Sequence, residues 1–241
     1  MRPGRGEPSV ASMKTALVTG ASRGLGRALA AGLAAAGYAL VIDARDGRAL
    51  AQAAAGIRAS VPGAGVTALA GDVTDPAHRA ALRQAASEID LLVNNAGTLG
   101  AAPLPAIADY PPGQLRAAFE ANVIAPVALI QQFLPVLRER GGAVLNITSD
   151  AAVEPYAGWG GYGAAKAALE QASSVLAAEE TAIRVWWVDP GDLRTDMHQA
   201  AFPGEDISDR PLPEAVVPAF VRLVTERLPS GRYRAFELAP A

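Results

Sequence analysis

An apolar run, Ala16-Leu17-Val18, leads straight into Thr19-Gly20-Ala21-Ser22-Arg23-Gly24-Leu25-Gly26, and an Ala/Leu-rich helical pattern from Arg27 to Ala36 leads out. No other stretch restricts the fold of this chain so tightly. A short buried strand, a glycine turn and a helix start together form the front of a nucleotide-binding βαβ unit. Glycine at 20 permits a tight turn, glycine at 24 lets a phosphate reach bare backbone N–H groups, and glycine at 26 lets the helix lie close on the strand. Ser22 and Leu25 complete the turn, where the positive end of the helix dipole also points. Ordinary αβ turns use glycines too, and this chain has 24 of them, so the remaining sequence has to agree.

It does. Tyr38 to Asp43 reads as a second buried strand, followed by a helix from Asp46 to Ser60 that Val61-Pro62-Gly63 closes. Val66 to Ala70 is a third strand. Asp75-Pro76 then supplies a cap and a first-turn proline for a helix from Ala77 to Ser87. Ile89 to Val93, Ala143 to Thr148, Ile183 to Val188 and Tyr233 to Leu238 read as four more strands. Between them lie helices predicted over Gln114 to Arg140, with a bend at Pro126, over Gly160 to Glu180, and over Glu214 to Leu228. Such alternation predicts an α/β, three-layer, doubly wound Rossmann fold: a mostly parallel seven-stranded sheet with helices on both faces. Residues 13–241 read as a single domain. The stretch Asp189 to Pro213 is too long for a plain connection and is expected to form a lid. The Pro/Gly/Arg-rich residues 1–12 lack a secretion signal's apolar core and are expected to be a disordered tail, with Met13 a candidate start.

Composition removes several classes of function. A net charge of −3 gives no basic face for nucleic acid and no polybasic membrane patch. No apolar run approaches the roughly 20 residues of a membrane span. The absence of cysteine excludes disulfides and thiolate chemistry, and two histidines, His78 and His198, make a histidine-built metal site a poor expectation. A cytoplasmic location is the default that remains.

The chemistry-bearing residues fall at strand ends or on the helices that follow. Tyr162 and Lys166 stand four apart on a predicted helix, so they share a face about 6 Å apart at Cβ. An ammonium about 5 Å from a phenol, at an effective dielectric of 20, favours phenolate by about 3 kcal/mol, of order two pKa units. A tyrosine so placed can give a proton to a carbonyl oxygen or take one from an alcohol. On an exposed face the same two residues are merely a solvated pair. Ser149, at the end of the fifth strand, could hold the oxygen that Tyr162 protonates, or simply cap a turn. Thr148 ranks below it, because strand alternation turns it the other way.

With Thr19-Gly20-x-x-x-Gly24-x-Gly26, Ser149, Tyr162 and Lys166 together, the chain resembles the roughly 250-residue branch of the short-chain dehydrogenase/reductase family from Lys14 to Leu238. The resemblance implies that Tyr162 is the general acid/base, that Ser149 orients the carbonyl, and that Lys166 binds the nicotinamide ribose and lowers the tyrosine pKa. It likewise implies that Asn122 holds a water-linked proton path to the lysine. A purely structural asparagine is the other reading of that position. Asn94-Asn95-Ala96-Gly97 matches a family segment bracing the central strand, with Asn94 near the adenosine. Asp72-Val73 matches the pair that receives the adenine ring, although an Asp after a strand also serves as a turn residue. Pro190-Gly191 and Thr195 match the segment that contacts the nicotinamide amide, where Thr195 would bond the carboxamide or a phosphate.

Cofactor choice rests on the end of the second strand, where an acid bonds the ribose hydroxyls of NAD and a basic side chain accepts the 2′-phosphate of NADP. Counted from Gly37, the resemblance implies that the family's discriminating acid would fall at Ala44, with Arg45 next, and Arg23 could clamp the phosphate from the other side. NADP(H) is therefore expected over NAD(H), unless a one-residue shift in the strand brings Asp43 into play. Tyr156, Trp159 and Pro155 are expected to wall an apolar substrate pocket with no anchoring charge. The whole reads as an NADPH-dependent reductase of a ketone or aldehyde, with a catalytically silent dinucleotide-binding regulator as the alternative. Its partner is a small-molecule carbonyl or alcohol. The small residues on the helices carrying Asn122 and Tyr162 suit a homodimer or homotetramer.

Overall fold

The computed structural model describes residues 13–238; the expected tail at residues 1–12 lies outside them. Seven strands, β1 (Thr15–Val18), β2 (Ala39–Ala44), β3 (Val66–Ala70), β4 (Leu91–Asn94), β5 (Ala143–Ile147), β6 (Arg184–Asp189) and β7 (Gly231–Arg234), form one sheet in the order β3-β2-β1-β4-β5-β6-β7. Every neighbouring pair is parallel. Because β1 lies between β2 and β4, the direction of winding reverses there. The crevice at the carboxyl ends of β1 and β4 is where an open α/β sheet takes its ligand.

Alternation along the buried strands sorts their side chains into two cores. Ala16, Val18, Leu40, Ile42, Leu91, Val93 and Trp186 pack beneath α1 (Gly24–Ala35), α2 (Gly47–Ser60) and α8 (Val217–Thr225). Leu17, Val41, Leu92, Val144 and Val185 face the opposite layer, with Leu82 of α3 (Pro76–Ala85) and Leu129, Phe133 and Leu137 of α5 (Ala125–Arg140). Adjacent Trp186 and Trp187 divide between the two layers as strand geometry requires. The stretch Pro112–Arg140 is long and apolar enough to cross a membrane, and its Leu129, Ile130, Phe133 and Leu137 are buried in the second core.

Two expectations are corrected. The last strand is the short β7, ending at Arg234, and Ala235–Leu238 coil into the final helix α9 that closes on the first core. Only the alternation up to Arg234 can pair with β6, since Asp189 already ends that strand. The central helix is broken as well. Between α4 (Pro112–Phe119) and α5 it widens into one π turn, Glu120–Ile124, centred on Asn122 and just ahead of Pro126. Proline has no N–H to return to the carbonyl of Asn122, and a π turn is a common answer to such a gap.

Candidate active site

The glycine turn behaves as its sequence requires. Gly20 and Gly24 sit at positive φ, +68° and +53°, where glycine carries no penalty. A methyl on Gly26 would collide with the Gly20 carbonyl, so the third glycine sets the approach of α1 to β1. Helix α1 has no side-chain cap and no acid in its first turn. By contrast, Asp46 caps α2 and Asp75 caps α3. The opening N–H groups of α1 therefore remain available to an anion, and this cradle fits a dinucleotide pyrophosphate. Thr195, the N-cap of α7 (Asp196–Ala201), lies close to Gly24 across the crevice. Gly191 adopts φ +74° beside Pro190, and its N–H goes to Asp189.

Asp43 is fully buried one residue before the end of β2. Its Oδ1 accepts the N–H of Gly20 at 2.8 Å and its Oδ2 meets His78 Nε2 at 3.0 Å. Its carboxylate is thus committed to the floor of the glycine turn, while Ala44 ends the strand and Arg45 stands exposed beyond it. Arg23 is exposed too, and pairs with Asp196 of α7 at 2.9 Å. Asp72 accepts from the N–H and hydroxyl of Thr74, a turn role, with Val73 buried beside it.

At the tip of β4, Asn94 Nδ2 donates to Asn146 Oδ1 at 2.8 Å, and Asn146 donates in turn to Ser173 of α6 (Gly160–Glu179). That chain of amides ties β4 to β5 and α6. Asn95 and Ala96 lock onto Thr19: its hydroxyl accepts both their N–H groups at 3.0 Å, and Asn95 Nδ2 reaches the Thr19 carbonyl. Gly97 fills the narrow gap between the Asn122 amide and Lys166 Nζ. Asn122, fully buried, spends its side chain on both polar groups of the Thr98 backbone.

Tyr162 and Lys166 lie on one buried face of α6, with Nζ 5.5 Å from the phenol ring centroid. Nζ donates to the Ile147 carbonyl at 2.8 Å. Ser149 follows two residues later, and Ala151 beyond it packs on Tyr162. Gly163 permits that approach, since a methyl there would strike the Ala151 carbonyl. Both flanks of Ser149 thus touch the Tyr162–Lys166 face.

The electrostatics depart from the expectation that the ammonium lowers the phenol pKa. Burial pushes the Tyr162 phenol well up, and the carboxylates of Asp189 and Asp150 push the same way. Burial also depresses Lys166 to about 8, against the opposing pull of Glu170. Coulomb attraction over 5 Å is outweighed because both groups have lost their water. The protein alone therefore holds a protonated phenol beside a readily neutralised amine.

Around the phenol, Leu99, Leu104, Trp159 and Ala201 form a small apolar enclosure. Trp159 meets Tyr162 edge-on at 5.7 Å and Phe202 at 5.9 Å, joining the phenol to the segment after α7. Tyr156 is exposed, its hydroxyl donating to Asp150 at 2.9 Å. The site does carry a charge on this side, contrary to the sequence expectation: Asp150 directly follows Ser149.

The short chain dehydrogenase profile matches residues 14–206. Sepiapterin reductase of Meriones unguiculatus is 36% identical over 199 residues, covering 77% of this chain and 76% of that protein. A rhamnolipids biosynthesis 3-oxoacyl-[acyl-carrier-protein] reductase of Pseudomonas aeruginosa is 39% identical over 180 residues, covering 69% and 66%. Among solved structures, a Shigella flexneri chain described as a short chain dehydrogenase and complexed with NADP superposes with TM-score 0.86 at 29% identity, covering 92% of this chain and 97% of that one. The chain belongs to the short chain dehydrogenase family. It is an NAD(P)-dependent oxidoreductase acting on CH–OH and C=O groups.

For this short chain dehydrogenase, sequence reasoning missed a network behind the site. The hydroxyl of Thr148, turned away from Ser149, donates to Glu170 at 2.8 Å. Arg232 of β7 binds both oxygens of Glu170, at 2.9 and 3.1 Å, and reaches the Ser149 carbonyl at 3.3 Å. Glu170 stands one helical turn beyond Lys166, a spacing that would have singled it out. Nothing in the sequence announces Arg232, which arrives through pairing of β7 with β6.

Proposed function

We propose that this protein is an NADPH-dependent reductase of a ketone or aldehyde, running as an alcohol dehydrogenase when alcohol and NADP⁺ are in excess. The observation that carries the reading is the buried Tyr162 phenol 5.5 Å from Lys166, at the strand tips beside an uncapped helix start. Bound there, the nicotinamide cofactor supplies or accepts the hydride. Tyr162 gives its proton to the carbonyl oxygen, a role suited to a phenol that the protein keeps protonated. Ser149 orients that oxygen. Lys166, resupplied through the water-linked path that Asn122 holds, restores the phenol proton and, when charged, steadies phenoxide.

Gly20, Ser22, Gly24, Leu25 and Gly26 present the phosphate cradle, and Asn94, Ala96, Gly97, Asp72 and Val73 line the adenosine side. Pro190, Gly191 and Thr195 hold the carboxamide end. Preference for NADPH is supported by Ala44 at the strand end, exposed Arg45 after it, and Asp43 already bonded inward. Arg23 can join Arg45 at the 2′-phosphate once it leaves Asp196. The NADP in the Shigella flexneri relative agrees. Residues 189–213, with α7, act as the lid, and the protein works in the cytoplasm on a small molecule. Exposed Ile124, beside Asn122, and exposed Val175 on α6 support pairing of two copies through these helices.

Loss of NADPH absorbance against a panel of ketones, aldehydes and quinones tests the reading. Turnover with at least one carbonyl class, faster with NADPH than with NADH, is expected. Tight NADPH binding with no turnover on any member would instead indicate a silent binding protein.

A further inference from the structure

Asp150 is the residue of this site whose chemistry the proposed reaction leaves unused. It opens the short turn Asp150–Ala152 directly after Ser149 and is half-buried. Its Oδ1 accepts the Ser149 hydroxyl at 3.0 Å and the Ala151 N–H at 2.8 Å, and its Oδ2 accepts the Tyr156 hydroxyl at 2.9 Å. Every one of those donors is neutral. Among the described residues no Lys, Arg or His comes within ion-pair distance of it, whereas nearby Asp189 has Arg232 at 4.0 Å. The charge of Asp150 is felt at the reaction centre, where it helps push the Tyr162 phenol up.

We propose that Asp150 is a specificity-determining residue that selects carbonyl substrates bearing a cationic nitrogen within two or three bonds of the carbonyl carbon. The inference rests on the carbonyl-reductase reading above and adds no bond-making step to it. Its first support is the uncompensated charge. A carboxylate without a counter-ion, next in the chain to Ala151 of the apolar cluster around Tyr162, attracts an ammonium and repels a carboxylate or phosphate.

The second support is the Ser149 proton. A hydroxyl has one proton to donate, and here it is given to Asp150. Ser149 can orient a carbonyl oxygen only by taking that proton back, which costs Asp150 a hydrogen bond. A substrate ammonium carries three donors. By binding the Asp150 carboxylate it replaces the serine donor and releases the Ser149 hydroxyl toward the carbonyl. Exposed Tyr156 can yield its place on Oδ2 in the same way. A neutral ketone brings no such donor, and an anionic one meets repulsion.

The test is kcat/KM of the NADPH-loaded enzyme at pH 7 for three aryl ketones of similar size: 3-aminopropiophenone (cationic), butyrophenone (neutral) and 3-benzoylpropionate (anionic). The wild type is expected to favour the cationic ketone over the neutral one by about tenfold, and over the anionic one by more. Asp150→Asn should bring the cationic and neutral ketones to within about twofold while NADPH binding is unchanged. Asp150→Ser, which keeps a short acceptor for the Ala151 N–H, should do the same and guards against an Asn variant that folds poorly. Equal use of all three ketones by the wild type, or a cation preference that survives in the variants, overturns the inference while leaving the carbonyl-reductase reading intact. Failure to reduce any ketone or aldehyde despite NADPH binding removes that reading, and this inference with it.

Discussion

Asp43 and His78 form a buried pair, 3.0 Å apart, beneath the glycine turn. The carboxylate that a one-residue change of register would send to the cofactor ribose instead faces inward. There it also holds the Gly20 N–H. A nucleotide-binding turn and the residue nearest its selectivity position are thereby linked. Gly71 makes room for this arrangement, since a methyl there would overlap the His78 ring.

Cofactor choice should accordingly follow Ala44 and Arg45. Ala44→Asp places an acid at the buried carboxyl end of β2, next to exposed Arg45, and should shift kcat/KM from NADPH toward NADH by about tenfold or more. Asp43→Asn should leave selectivity nearly unchanged but lower stability by about 2 kcal/mol, because His78 loses a buried partner. Steady-state rates with both cofactors, and thermal unfolding of each variant, check the two halves separately.

Lys166 should be costly to stability. Its depression from 10.5 to about 8 means that the native state binds fewer protons there than the unfolded chain between those values. Stability of the cofactor-free protein should therefore rise from pH 8 toward pH 10, until the unfolded chain's tyrosine begins to ionise and buried Tyr162 works the other way. Below pH 8 the burial costs about 3 kcal/mol. Lys166→Met should stabilise the protein at pH 7 by about 2 kcal/mol once the lost bond to the Ile147 carbonyl, about 1 kcal/mol, is deducted. Denaturant unfolding across this pH range would show it, and a less stable variant with no pH dependence in the wild type would refute it.

Arg232 acts on the site through Glu170 and the Ser149 backbone. Arg232→Met leaves Glu170, whose side chain is only 12% exposed, with the Thr148 hydroxyl alone. Stability should fall by about 2 kcal/mol. A positioning role further requires kcat to fall about tenfold with NADPH affinity unchanged, since no cofactor-facing residue is touched. Arg232→Lys should recover part of the stability and little of the rate, because it cannot bind two oxygens of Glu170 and the Ser149 carbonyl together. Stopped-flow NADPH titration beside ketone turnover separates the two effects.

Much of this was legible in the sequence, for identifiable reasons. Ala16 to Gly26, Tyr162 with Lys166, and the buried strands announce themselves through local spacing, and local spacing is what one sequence contains. A count from Gly37 singles out Ala44 as the discriminating position, whereas the apolar pattern ends the second strand at Asp43, one residue short of where β2 ends. What stayed hidden depends on contacts between distant segments. The tie from Arg232 to Ser149 spans 83 residues and the one from Arg23 to Asp196 spans 173. The direction of the Tyr162 shift was also out of reach, because the depth of burial that decides it belongs to the tertiary structure. Asp150 stood in plain view but carries meaning only once its lack of a counter-ion is known.

The most direct measurement is ketone-dependent NADPH oxidation by Tyr162→Phe, read beside NADPH binding by fluorescence titration. The ring keeps its place against Trp159, Leu99 and Ala151, so binding should stay within about twofold of the wild type while kcat drops by about 10² to 10⁴ with the loss of the proton donor. Turnover preserved in this variant, with binding intact, would contradict the assignment of Tyr162 as the acid that completes carbonyl reduction.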